Sequence, residues 1–206
     1  MTRATPVSVL VVIAFIAAVT LYASPTAASE PAGPSTDRGA AQDAQIHCVA
    51  QAYPIGQSPA VPAPLVCFDT FGAAIAFATG GAVQLPDVTS RRLSQAELTP
   101  PDGTLAPTST VIGIDWWDAF MSGSTLTTSE NFDPNGCYNG GVYVVDSIQT
   151  GWDNQISSAV GYQGCDYFYH YDLQSQGGVR IQCVCEEMFA MNDHTSSEKF
   201  GGTPLP

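Results

Sequence analysis

Gly141-Val142-Tyr143-Val144-Val145, then Asp153-Asn154-Gln155-Ile156-Ser157-Ser158, then Tyr167-Phe168-Tyr169 is the stretch that decides the fold class. Two runs of β-branched and aromatic residues flank an oxygen-rich hexapeptide, and such runs suit a pleated, half-buried surface. The same texture recurs at Val111-Ile112-Gly113-Ile114 and at Val179-Arg180-Ile181-Gln182-Cys183-Val184. Turn clusters separate the runs, as in Asp133-Pro134-Asn135-Gly136 and Asn139-Gly140-Gly141. No helical periodicity competes after residue 110. Many short strands between turn signals predict an all-β antiparallel sandwich or barrel.

The hexapeptide occurs twice. Its second copy is Asn192-Asp193-His194-Thr195-Ser196-Ser197. Both read as two Asp/Asn residues, two free positions and two hydroxyl residues. The spacing from 153 to 192 is about the length of one four-stranded Greek key. Taken singly, either copy is an ordinary turn whose side chains bond their own backbone. Taken as a pair in a repeat, they read as calcium loops. Calcium takes about six to eight oxygen ligands from carboxylates, amides, hydroxyls and carbonyls, and each copy offers all four kinds. With one carboxylate per loop, Asp153 and Asp193, the affinity expected is that of extracellular modules, about 10⁻⁴–10⁻³ M.

The doubled Asn/Asp-Asn/Asp-x-x-Ser/Thr-Ser pattern resembles the calcium loops of the βγ-crystallin superfamily. That family places an aromatic, four residues, an aromatic, one residue and a glycine ahead of each loop. Trp116 to Gly123 fits, with Met121 where the second aromatic is usual. The second copy, from Tyr169 to Gly177-Gly178, is looser and aligns with an insertion or two. Gly151-Trp152-Asp153 to Ser158, followed by Gly164-Cys165, is similar to secreted bacterial members, some of them grouped with small peptidase inhibitors. The resemblance covers about 110–202. It implies two Greek keys in one sandwich and two calcium ions, each clamped by both loops. The ligands it implies are Ser157 and Gln155, Ser196 and His194, and Asn154 and Asp193, with Trp117 and His170 as hairpin carbonyls. Asp153 and Asn192 are implied to shape the loops.

Outward from this domain the chain changes character. Arg3, the apolar run Val7 to Leu21 and the small residues Thr26-Ala27-Ala28-Ser29 read as a secretory signal over 1–28. The apolar run is short against the roughly 20 residues a membrane helix needs. The expectation is therefore a secreted, extracellular protein with no membrane segment after cleavage. Residues 29–109 read as a flexible leader, a Pro-rich loop, one short helix and a linker. Asp69 or Thr70 caps that helix, Phe71, Ile75 and Ala78 share a face, and Gly80-Gly81 ends it. The helix packs on the β domain through Phe71 and Ile75, or belongs to a small disulfide-tied subunit.

Cys48, Cys67, Cys137, Cys165, Cys183 and Cys185 all follow the signal, and an even number in an exported chain reads as disulfides. Cys48 with Cys67 would close the Pro-rich loop. On a straight strand Cys183 and Cys185 would sit about 6.5 Å apart with parallel side chains, so each is expected to pair elsewhere. Cys137 and Cys165 are then expected each to join something in the C-terminal half.

The formal net charge is −13 and Lys199 is the only lysine, which argues against nucleic acid as a partner. Asp115 and Asp118 flank two tryptophans. At i, i+3 on a strand they diverge, so solvated carboxylates and a half-buried Trp are expected rather than a sugar-cleaving pair. His47, His170 and His194 lack metal-ligand spacing, and no nucleophile elbow or phosphate loop is present. The chain reads as a binding protein, not an enzyme. Its partners are calcium first, then an extracellular peptidase that it would inhibit, or a polysaccharide held on Trp116, Trp117 and Trp152.

Overall fold

The computed structural model describes residues 45–86, 88–101 and 107–205. The expected signal segment 1–28 and the leader as far as residue 44 lie outside the described residues.

Ten strands and one helix follow in order: β1 (His47–Gln51), β2 (Tyr53–Pro54), β3 (Val66–Phe68), α1 (Phe71–Ala78), β4 (Thr110–Asp118), β5 (Ser122–Glu130), β6 (Val142–Val145), β7 (Ser158–Gly161), β8 (Tyr167–Leu173), β9 (Gly177–Gln182) and β10 (Ser197–Gly201). They form two five-stranded sheets, β3-β1-β5-β4-β7 and β2-β6-β10-β8-β9. All pairings are antiparallel except β1 with β5. The predominantly β expectation holds.

The first sheet is covered on both faces. One face meets the second sheet across a core that includes Leu126, Ile156, Ala159, Phe168 and Phe200. The other meets α1 and the segment after it, through Phe71, Ile75, Val83, Leu93 and Leu98 against Val111, Ile114, Trp116 and Val160. Of the two expected caps, Asp69 and Thr70, it is Thr70 that caps α1, accepting from the Ala73 N–H at 3.2 Å. At eight residues, α1 is too short to hold alone, and its fully buried Phe71, Ala74 and Ile75 tie it to the sheet.

The boundary expected at 110 moves. The Pro-rich loop begins and ends in strands: β1 pairs with β5, β2 with β6, and β3 with β1. The linker expected over 82–109 carries a 3₁₀ turn, Gln95–Leu98, and its apolar residues Val83, Leu93 and Leu98 are buried. Those three residues are sparse in sequence but all face one way, which a composition-based reading misses.

Cys48 bonds Cys67, as expected. Two other expectations fail. Cys137 bonds Cys165, and Cys183 bonds Cys185, with Cα atoms 4.9 and 5.0 Å apart. The straight-strand premise is what gives way. β9 ends at Gln182 in the second sheet, while Cys185 forms a bridge with Ala159 of the first. The chain changes sheets between the two cysteines, so their side chains are not parallel.

Candidate functional site

The two hexapeptides meet, and they meet reciprocally. The second residue of each is in the left-handed region, Asn154 at φ 60° and Asp193 at φ 57°. Asn and Asp tolerate that conformation better than other side chains do. It turns the Asn154 N–H onto the Thr195 carbonyl and the Asp193 N–H onto the Ile156 carbonyl, both at 3.0 Å. Each loop then docks on a β-hairpin. The Ser157 N–H donates to the Trp116 carbonyl at 2.9 Å, and the Ser196 N–H to the Tyr171 carbonyl at 2.7 Å. The last serines complete the pattern. Ser158 Oγ donates to the Asp118 carbonyl and accepts from the Met121 N–H. Ser197 Oγ donates to the Leu173 carbonyl and accepts from the Gln176 N–H.

These bonds align the hairpins without a gap: Trp116 with Tyr171, Asp118 with Leu173, Met121 with Gln176. Consecutive left-handed residues, Phe120-Met121 and Ser175-Gln176, and the positive-φ glycines Gly123 and Gly178 fall in register. The insertion expected in the second hairpin is absent. Aromatic residues at Tyr169 and Tyr171 offer two alignments in sequence, and Gln176 in place of an aromatic hides the right one. By this alignment the counterpart of Trp117 is Asp172, not His170.

Side-chain oxygens from both loops converge in two places. Ser196 Oγ donates to Asp153 Oδ1 at 2.6 Å, and Ser157 Oγ donates to Asp193 Oδ1 at 3.4 Å. Asp153, expected only to shape its loop, therefore reaches across to the partner hydroxyl. Asn192 does stay local, donating from Nδ2 to Asp193 Oδ2 at 2.7 Å. Ser157 and Ser196 are buried, while Asn154, Asp193 and His194 are exposed and Gln155 is half-buried. Trp117, at 38 % exposure, lies edge-on to Trp152 with ring centroids 5.5 Å apart.

His170 is elsewhere. It is fully buried in mid-strand, paired with Glu198 of β10 and Ile181 of β9. Its Nε2 is 3.0 Å from Asp115 Oδ1. The solvated Asp115 expected from the sequence is fully buried too, as are Glu198 and Trp116, whereas Asp118 is exposed as expected. Asp115, His170 and Glu198 offer one donor atom each, all within 4.8 Å of one another. Burial pushes both carboxyls well above the usual range, and pushes the imidazole down to about 4. Sequence spacing does not find this trio, because its members come from three strands. The hairpin alignment would: it places Asp115 opposite His170, and their register partners Ala159 and Glu198 opposite each other.

With Trp116 and Trp152 buried, the three-tryptophan sugar platform reduces to Trp117. The chain matches no protein-family model, no curated protein and no solved structure.

Proposed function

We propose that the protein is a secreted calcium-binding protein of βγ-crystallin type, with its ions held between the paired loops. The observation that carries this reading is the double convergence of a serine hydroxyl from one loop on a carboxylate of the other, Ser196 on Asp153 and Ser157 on Asp193. Each pair joins a neutral oxygen to an anionic one at a partly open edge. That is the donor chemistry a hard cation takes. Two Greek keys related by the repeat account for the reciprocal bonds. Three disulfides are consistent with an oxidising compartment, and no helix among the described residues is long and apolar enough to cross a membrane.

Calorimetric titration of the oxidised chain with calcium tests the reading. The expected result is saturation near two ions per chain, lost in the Asp193→Ala, Ser157→Ala double variant. Because the ions bind only the folded loops, calcium at a hundredfold excess over Kd should add about 2.7 kcal/mol of stability per site. Absence of binding at millimolar calcium in the folded protein would reduce the loops to turns.

A further inference from the structure

Asp115, His170 and Glu198 project from β4, β8 and β10 into the interface between the two sheets. All three are fully buried, and Asp115 Oδ2, His170 Nδ1 and Glu198 Oε1 have no partner while both carboxyls are ionised. The Asp115 and Glu198 carboxyls bond each other only when one of them holds a proton, so a proton or a cation must lie between them. A core normally satisfies its polar groups, because an unpaired one costs about 1–3 kcal/mol and more if charged. Three such residues in one place want an additional partner.

No basic side chain supplies it among the described residues. Arg91 pairs with Glu97, Arg180 lies over the Tyr169 ring, and Arg92 is exposed. Lys199 follows Glu198 on a strand and so faces the opposite side. A hydroxyl is at hand: Thr128 Oγ1 donates to Glu198 Oε2 at 3.4 Å.

We infer that Asp115, His170 and Glu198 form a closed binding site for one divalent transition-metal ion of zinc type. The charges balance, since two carboxylates and a neutral imidazole offset a doubly charged cation. The donor set separates this site from the paired loops. Calcium and magnesium take oxygen shells, whereas imidazole with carboxylates suits zinc and its neighbours. Full burial denies a substrate access, so the ion is structural and joins the first sheet to the second. Thr128 positions Glu198 from behind the ligand. Because the site is closed, the ion enters as the chain folds.

The test is refolding of the oxidised full chain from denaturant, with chelator, with Zn²⁺ or with Co²⁺. The expected product carries one zinc per chain after gel filtration, melts higher than the chelator-refolded protein, and shows visible Co²⁺ absorption. His170→Gln should lose the ion and the absorption, whereas His194→Ala and the Asp193→Ala, Ser157→Ala variant should keep both. Thr128→Val should weaken binding by about 10–100-fold, the usual loss when a group that orients a ligand is removed. If His170→Gln does not refold, the wild-type metal content and Co²⁺ spectrum still decide. Wild-type protein that refolds free of metal with an unchanged melting temperature would overturn the inference. So would zinc held by His194 rather than His170.

Discussion

Gly113, Asp115, Ala159 and Gly161 form one patch of the first sheet. Phe168, His170, Glu198 and Phe200 form the equivalent patch of the second. The backbone pairing is the same in both, Gly113 with Gly161 and Asp115 with Ala159 against Phe168 with Phe200 and His170 with Glu198. The side chains are opposite in size. A Cβ on Gly113 would come within 2.5 Å of the Phe200 ring and 3.1 Å of the Phe168 ring. The two patches therefore fit as recess and plug. Two large faces would not close, and two small faces would leave a void. The same asymmetry works on charge. At equivalent positions a carboxyl, Asp115, meets an imidazole, His170, while Glu198, the register partner of His170, brings a second buried carboxyl against Asp115.

Emptying the plug should have the largest effect. Phe200→Ala should cost about 3–5 kcal/mol, read as a lower urea midpoint. Filling the recess with Gly113→Ala should cost about 1–3 kcal/mol by crowding the rings. The two changes should not add, since the second enters space the first has vacated. Additive costs would mean that the patches do not interlock.

The loops invite a smaller test of the same relationship. Ser196→Ala removes the 2.6 Å bond to Asp153, and Ser157→Ala the 3.4 Å bond to Asp193. In calcium-free protein the first should cost about 1 kcal/mol and the second less, by the melting temperature. Equal costs would show that the side-chain asymmetry does not persist in solution.

The smallest expected effect lies outside both patches. His47 is buried on β1 with Nδ1 2.9 Å from Thr125 Oγ1, and burial lowers its pKa from the ordinary 6.5. Folding therefore favours the neutral ring. Stability is full above about 6.5 and declines as pH falls from there through the folded-state value. A His47→Gln variant should lose that part of the decline in melting temperature between about pH 7 and 5. An unchanged slope would assign it to other groups.

How far the sequence led differs from element to element, for physical reasons. β4, β6, β8, β9 and α1 were legible because their residues carry local signals: β-branched and aromatic runs, a threonine cap and a Gly-Gly stop. The doubled hexapeptide was legible as a repeat. β1 and β2 were not, because four prolines between Cys48 and Cys67 masked the short apolar run at either end. β5 is rich in Ser and Thr, and only its neighbours make it a core strand. The buried trio was hidden for the same reason. Asp115, two residues before Trp117, looks like a surface residue until β8 and β10 are laid over it.

The parallel pairing of β1 with β5 has a consequence in time. His47 and Thr125 are 78 residues apart, so β1 emerges long before its long-range partner exists. Contacts of such separation are paid for late, after the intervening chain has closed. β3 and the Cys48–Cys67 bond need only the next 19 residues. They can hold β1 extended, with its far edge open, until β5 arrives. The disulfide at the start of the domain thus acts as a placeholder, keeping one seat in the first sheet ready for the strand that completes it.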